Sequence, residues 1–184
     1  MDLLIVEDRE NEKVAGFLDA LSKAGITFEV VGNLEDANKA FDQHSVEIST
    51  IILDLTFPKD KDDTVGILDR NEAPNGIKFL DRNGFQMSMK NIHLILNSCW
   101  DNDERDKKLQ KTKYYADHKN DLILDVLDGK TPLSHLTPAY TKKLIDMLLE
   151  ARKKHKLEMS APKESHWDRT KMSFKDRYWS HNGD

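Results

Sequence analysis

Long apolar runs are missing from this chain of 184 residues, and so is a second cysteine. No stretch comes near the roughly 20 consecutive apolar residues that a membrane-spanning helix needs. The start of the sequence, Met1-Asp2, lacks the basic segment of a secretory signal peptide. The single cysteine, Cys99, cannot form a disulfide within the chain, which is typical of a reducing compartment. We therefore expect a cytoplasmic protein without a membrane segment.

Several common catalytic motifs are also absent. The seven histidines do not have the spacing of metal ligands, and no glycine-rich phosphate loop or nucleophile elbow occurs. Cys99 follows an apolar run, where small buried cysteines are common, so it is a weak candidate for a nucleophile. The formal net charge of −5 argues against a general nucleic-acid binder. These absences leave the acidic residues as the most informative feature of the sequence.

Two short apolar runs each end in acid. Leu3–Val6 is followed by Glu7 and Asp8, and residues 50–53 are followed by Asp54. A continuous apolar run of four or five residues predicts a strand that is buried on both faces, as in a parallel sheet covered by helices. Open α/β sheets bind their ligands at the carboxyl ends of such strands. Three carboxylates converging there would repel one another unless a hard cation were bound, and Mg²⁺ suits a site of oxygen ligands.

Helical patterns alternate with these runs. Apolar residues recur at helical spacing over residues 10–24, where Gly25 is the expected stop, and again after Asn33, which is the expected N-cap. A strand over 27–31 separates the two helices, and a fourth strand covers 91–96. The alternation predicts right-handed crossovers and a doubly wound, five-stranded parallel sheet flanked by helices.

The fifth strand is the least regular element of this pattern. We assign it to residues 113–118, which include Tyr114 and Tyr115. The preceding stretch, 101–113, has almost no apolar residue apart from Leu109, so we expect it to pack weakly and to be movable. Thr137 and Pro138 then predict the start of the strongest amphipathic helix in the chain.

Two segments lie outside the alternating pattern. A charge run and a series of turn residues predict an inserted loop over about 59–75, which we expect to be dispensable for folding. After a domain over 1–155, residues 156–184 form a C-terminal extension in which Trp167, Phe174 and Tyr178 share helical spacing. This extension is too short for a DNA-binding domain with its own core, so direct DNA binding is not expected. We expect it to dock on its own domain or on a second copy, as a homodimer.

The acidic strand ends carry a resemblance to a known family. Leu4-Ile5-Val6-Glu7-Asp8 and Ile51-Ile52-Leu53-Asp54-Leu55, with Pro58 beyond them, resemble the receiver domain of two-component response regulators over about residues 1–155. The family's turn continues from its aspartate and proline to a nearby glycine, which corresponds to Gly76 after the inserted loop. The resemblance implies the flavodoxin-like receiver fold.

The resemblance also implies a site. Receivers place an acidic pair after strand one, a phosphoacceptor aspartate after strand three, a Ser/Thr after strand four, and a lysine, usually followed by proline, after strand five. These roles correspond to Glu7 and Asp8, which would bind Mg²⁺ together with Asp54, to Asp54 as phosphoacceptor, to Ser98, and to Lys119. The family's aromatic switch residue lies in strand five, a few positions before the lysine; Tyr115 is near that place, and Ala116 is closer in register.

Three functions remain open from the sequence. The first is a receiver that takes a phosphoryl group from a histidine kinase or phosphotransfer protein and signals to a protein output target, with catalysis limited to self-phosphorylation and autodephosphorylation. The second is a receiver-like adaptor that acts without phosphorylation. The third is a Mg²⁺-dependent phosphatase with an aspartyl phosphate. The third ranks last because Thr56 stands where such enzymes place the second acid of an Asp-x-Asp pair.

Overall fold

The computed structural model describes residues 1–7, 11–60, 73–98, 107–118, 121–128, 133 and 136–160. The strands are β1 (Leu3–Val6), β2 (Phe28–Val31), β3 (Thr50–Asp54), β4 (His93–Ser98) and β5 (Ile123–Asp128). The helices are α1 (Asn11–Lys23), α2 (Leu34–His44), α3 (Asn75–Met89), α4 (Lys113–His118) and α5 (Pro138–Ser160). No helix within these ranges is long and apolar enough to cross a membrane.

The strands form one sheet in the order β2-β1-β3-β4-β5, and every neighbouring pair is parallel. The predicted doubly wound, five-stranded sheet is therefore confirmed. The strand order reverses between β1 and β3, and a ligand site of an open α/β sheet lies at such a reversal, beyond the carboxyl ends of the strands. Glu7 and Asp54 stand at this position.

An apolar core covers each face of the sheet. On one face, Phe41 of α2 and Phe79 of α3 are fully buried and pack edge to face, with ring centroids 5.8 Å apart. On the other face, α1 and α5 contribute Phe17, Leu144 and Leu148. All four residues of β1 and all five of β3 are buried, which explains why their sequences read as continuous runs rather than as alternating ones.

The prediction of a fifth strand over residues 113–118 is wrong, because these residues form α4. The ring of Tyr114 is buried, and its hydroxyl donates a hydrogen bond to the Ile92 carbonyl at 2.8 Å. A Cβ added to Gly84 of α3 would lie 2.7 Å from the Tyr114 Cβ, so α3 and α4 approach closely at this point. The tyrosines favoured a strand by local propensity, and tertiary packing overrides that preference.

The segment before α4 is also anchored more firmly than expected. Leu109 is fully buried and belongs to the core that contains Phe41 and Phe79. Thr112 is buried as well, and its hydroxyl donates to the Leu109 carbonyl at 2.8 Å. The remainder of the stretch that we expected to be movable, 101–106, lies outside the described residues.

The structure describes only parts of the two irregular segments and of their boundaries. Helix α5 continues through the boundary placed at residue 155 and ends at Ser160. The residues of the C-terminal extension beyond it, 161–184, lie outside the described part of the chain, and so do residues 61–72 of the inserted loop. The predicted loop span also includes Asn75, which is the first residue of α3.

Both ends of the inserted loop are tied to the domain. The backbone N–H groups of Leu34 and Glu35 donate to the carbonyls of Pro58 and Lys59, at 2.9 Å and 3.1 Å. At the other end, the side-chain amide of Asn75 donates to the Phe57 carbonyl at 2.7 Å. The loop is therefore closed by contacts that do not involve residues 61–72.

Replacing residues 61–72 by a short Gly-Ser linker should change the free energy of unfolding by less than about 1 kcal/mol, because closure entropy varies slowly with loop length. The measurement is chemical denaturation of both proteins. A second variant that also removes Lys59 and Asn75 should be less stable. It loses the hydrogen bond from the Glu35 N–H to the Lys59 carbonyl at one end and the bond from the Asn75 side chain to the Phe57 carbonyl at the other. A loss of several kcal/mol in the first variant would mean that residues 61–72 pack on the domain.

Candidate functional site

Two acidic side chains lie next to each other at the carboxyl edge of the sheet. Val6 of β1 is in register with Leu53 of β3, so the residues that follow them, Glu7 and Asp54, leave neighbouring strand ends at the same level. Only 2% of Glu7 and 7% of Asp54 is exposed. Burying a carboxylate is costly unless hydrogen bonds or counter-charges compensate for the lost water. The partners of these two side chains therefore define the site.

Asn97 holds Glu7. Its side-chain amide donates to Glu7 Oε2 at 2.5 Å, and both side chains are buried. Asn97 is also the register partner of Asp54 in the β3–β4 pair. Glu7, Asp54 and Asn97 thus form a row across three neighbouring strands. Asn97 was not among the predicted site residues, where only Ser98 represented this strand end, although Asn97 follows the apolar residues of β4 just as Asp54 follows those of β3.

Thr56 orients Asp54. The backbone N–H of Thr56 donates to Asp54 Oδ1 at 2.9 Å, and its hydroxyl donates to the same oxygen at 3.3 Å. These bonds restrict the rotation of the carboxylate. The position two residues after Asp54, where an Asp-x-Asp phosphatase needs an acid, is thus occupied by a residue that positions Asp54.

Gly76 lets the first turn of α3 approach the end of β3. Its N–H donates to the Leu55 carbonyl at 3.2 Å. A Cβ at position 76 would lie 2.6 Å from the Asp54 carbonyl oxygen and 2.6 Å from the Leu55 Cα, closer than side chains ever approach backbone. Only glycine fits at position 76 without a shift of α3 or of the end of β3. Gly76 is also the residue that corresponds to the glycine of the receiver turn in the resemblance described above.

The other predicted site residues are described only in part. Asp8, the second acid of the pair, lies outside the described residues. Ser98 is the last residue of β4, and its backbone is in register with Asp128 of β5. Its position at the strand end agrees with the prediction, and the structure does not describe its side chain.

The reason for choosing Lys119 no longer holds. The residues before it form α4, and β5 comes after it in the chain, so Lys119 does not follow the fifth strand. The lysine that follows β5 is Lys130, in the sequence Lys130-Thr131-Pro132. Both lysines lie outside the described residues. The missed signal was the apolar run that ends at Leu127, followed by a lysine with a proline close behind it.

The predicted position of the aromatic switch residue is also affected, because the fifth strand is residues 123–128 rather than 113–118. Tyr115 belongs to α4 rather than to the fifth strand, so it does not occupy the position that the resemblance gave it. The sequence of β5, Ile-Leu-Asp-Val-Leu-Asp, contains no aromatic residue.

The donor set is compatible with Mg²⁺. Glu7 and Asp54 present carboxylate oxygens at adjacent strand ends, and such hard oxygen ligands suit this ion. Among the residues that the structure describes, no group of three or more His, Cys, Asp or Glu side chains could hold a metal ion. The third acid, Asp8, lies outside those ranges, so the described residues supply two of the three expected ligands.

Comparison with known proteins gives a fold rather than a sequence family. No family model and no curated protein matches the chain. Among solved structures, it resembles the signal receiver domain of a putative Luxo repressor protein from Vibrio parahaemolyticus, with 17% identity and a TM-score of 0.53, over 85% of this chain and 93% of that one.

Two further receiver structures are similar to the same extent. One is a response regulator receiver domain protein from Clostridium thermocellum, at 13% identity and a TM-score of 0.53. The other is a CheY-like receiver domain protein from Methanospirillum hungatei, at 11% identity and a TM-score of 0.51. Each match covers 85% of this chain and 97% of the other. The chain therefore has the fold of response regulator receiver domains.

Proposed function

We propose that this chain is a response regulator receiver that accepts a phosphoryl group on Asp54 with Mg²⁺ and signals through protein contacts. The observation that supports this most directly is the placement of Asp54. It is a buried carboxylate at the strand-order reversal of a receiver fold, beside Glu7, and its rotation is restricted by Thr56. Its donor would be a histidine kinase or a phosphotransfer protein, and its output target a protein.

The chemistry requires positioning more than acid or base strength. A carboxylate is a weak nucleophile that must attack phosphorus in line, so placement and charge neutralisation account for most of the catalysis. An oxygen of Asp54 forms the new bond to phosphorus as the bond to the donor breaks. Mg²⁺ bound by Glu7, Asp8 and Asp54 would neutralise charge on the phosphoryl oxygens. Asn97 acts indirectly, because it fixes the carboxylate of Glu7.

Phosphorylation of Asp54 is directly measurable. Incubating the chain with a small-molecule phosphodonor and Mg²⁺ should add the mass of one phosphoryl group, and Asp54→Asn should abolish the increase. The matched control is Asp42→Asn, because Asp42 is a partly exposed aspartate paired with Arg82 at 2.9 Å, away from the site. A folded wild-type protein that gains no mass, while a known receiver does so in parallel, would contradict the proposal and favour the phosphorylation-independent adaptor.

We further propose that Lys130, rather than Lys119, supplies the second cation, and that Ser98 supplies the hydroxyl. Parallel strands bring their carboxyl ends to one edge, and Lys130 is the first lysine after β5 in the sequence. Lys130→Ala should slow phosphorylation by about tenfold or more, since a positive charge is lost where negative charge develops. Lys119→Ala is the matched control and should leave the rate nearly unchanged. The reverse result would restore the original assignment.

A further inference from the structure

The face of the sheet that packs against α1 and α5 ends in polar residues. Thr50 and His93, the first residues of β3 and β4, are register partners at the amino-terminal edge, opposite the acidic site. Because side chains alternate along a strand, they share a face with Ile52 and Ile95 of the apolar core. Both are nonetheless buried, with only 2% of His93 exposed. An apolar layer thus ends in a histidine and a hydroxyl.

The C-terminal part of α5 covers this polar edge. His155 is buried there, and its Nε2 lies 3.2 Å from the Val46 carbonyl oxygen. A carbonyl can only accept a hydrogen bond, so Nε2 is the donor in this contact. In a neutral His155 ring, Nδ1 is then an acceptor. Val46 belongs to the turn before β3, so the bond ties α5 to the edge of the sheet.

Four buried side-chain atoms in this region have no hydrogen-bond partner within the described part of the chain. They are Thr50 Oγ1, His93 Nδ1, His155 Nδ1 and Glu158 Oε2. We call these four residues the histidine cluster. A buried polar atom without a partner is destabilising, because the hydrogen bonds that it made to water are not replaced. This end of α5 therefore meets the sheet through buried polar groups whose hydrogen-bonding capacity is only partly used among the described residues.

Charge at His93 is disfavoured in this position. Burial lowers the pKa of the His93 ring below 6.5, and Lys154 and His155 lower it further, whereas a hydrogen bond to the Ser49 backbone and the charge of Glu158 act in the opposite direction. The charged groups that act on the ring thus lie on α5, and β3 faces it with the Thr50 hydroxyl.

Two titratable pairs lie on the connections near this edge, and each is paired internally. His44 and Glu47, between α2 and β3, are 3.6 Å apart. His118 and Asp121, between α4 and β5, are 3.3 Å apart.

A second contact holds α5 just before the cluster and does not depend on histidine. Arg152 Nη1 donates to the Gly25 carbonyl at 2.7 Å and lies 3.4 Å from Asp2 Oδ2. Burial alone would raise the pKa of Asp2, but hydrogen bonds from Thr27 and the charge of Arg152 hold it below 3.8. This contact therefore survives mild acid, and any release of α5 begins after Arg152.

We propose that the histidine cluster is a proton-sensitive latch that holds residues 153–160 of α5 against the sheet and releases them as the pH falls. A proton on His93 Nδ1 places a positive charge among buried groups that include Lys154. Releasing the segment returns the ring to water. The released segment carries Leu157 and Met159 and continues into residues 161–184, so acid would alter the point from which the rest of the C-terminal extension leaves the domain.

The direction and the size of the effect follow from proton linkage. The latched state binds fewer protons than the released state, so the latch is strongest above the released-state pKa and weakens as the pH falls below it. One histidine that titrates near 6.5 only when released changes the ratio of released to latched protein by up to about tenfold between about pH 7.5 and about pH 5.5.

The methionines of α5 provide the test. Met159 lies in the released segment, and Met147 lies before Arg152 on the same helix. In methyl NMR of the full chain, with signals assigned by Met→Leu substitutions, acidification should change the Met159 signal and leave Met147 nearly constant. His93→Gln should abolish the response, whereas His44→Gln, at a partly exposed histidine paired with Glu47, should preserve it.

Two results would overturn the latch. One is a Met159 signal that does not change over this pH range in the wild type. The other is an unchanged response in a folded His93→Gln variant. If that variant does not fold, NMR titration of the His93 ring in the wild type decides the question, because a pKa at or above 6.5 contradicts the latch and a lower one supports it.

Discussion

Gly76→Ala should lower the free energy of unfolding by about 2–3 kcal/mol, an overpacking cost, and should also slow phosphorylation of Asp54. The added Cβ would lie 2.6 Å from backbone atoms of Asp54 and Leu55. Backbone cannot rotate out of the way as a long side chain can, so α3 must move away from β3. If the strand end at Asp54 and Leu55 is displaced as well, the carboxylate of Asp54 is displaced with that strand end.

The matched control is Gly16→Ala in α1. Apart from the chain neighbours and the backbone of α1 itself, no described atom lies within 4 Å of a Cβ at position 16, and the residue is exposed in the helix. Alanine there should raise stability by about 0.5–1 kcal/mol, because glycine loses more backbone entropy on folding. Chemical denaturation of both variants, together with phosphorylation rates, measures the contrast. Similar stability effects at the two positions would show that α3 does not approach β3 as closely as described.

Asn97→Asp should destabilise the metal-free protein by about 2–3 kcal/mol at neutral pH, equivalent to a pKa shift of about two units for a carboxylate beside a like charge. The substitution replaces the donor that holds Glu7 Oε2 with a second buried carboxylate. Because one of the two acids then has a raised pKa in the folded state, that state binds more protons than the unfolded one. The loss of stability relative to the wild type should therefore become smaller as the pH falls, and bound Mg²⁺ should also make it smaller.

Asn38→Asp is the matched control for this change. Asn38 Oδ1 accepts a hydrogen bond from the Asn83 side chain at 2.8 Å, and an aspartate at position 38 keeps that acceptor. Its stability should change little and should not respond to Mg²⁺. Denaturation of both variants with and without Mg²⁺, at neutral and mildly acidic pH, separates the two cases. An Asn97→Asp protein as stable as the wild type would contradict the contact with Glu7.

The sequence predicted the architecture because the informative strands are buried on both faces. Continuous apolar runs such as those of β1 and β3 have few other interpretations, and an acid at the end of each is visible without coordinates. The positions of Glu7 and Asp54 follow from the parallel pairing of the two strands. This part of the site needs only local patterns and one rule of topology.

The errors arose where strand register or tertiary contacts decide the outcome. β5 lies at the sheet edge, and four of its residues are only partly buried, so its pattern was weaker than that of the central strands. The tyrosines of α4 then favoured a strand at the wrong place, and the lysine assignment followed that error. Asn97 ends an apolar run as Asp54 does, but its role depends on lying opposite Asp54 and within reach of Glu7, which only the strand register shows.

Two glycines allow α3 to approach its neighbours closely. Gly76 sets its first turn against the backbone of Asp54, and Gly84, eight residues later, receives Tyr114 of α4. Eight residues of helix span about 12 Å. The contact with the Asp54 backbone and the contact with Tyr114 therefore lie about 12 Å apart on one continuous helix, with no loop between them. The distance between the α3 and α4 backbones at Gly84 is therefore the measurement that would show whether a change at Asp54 is carried along α3.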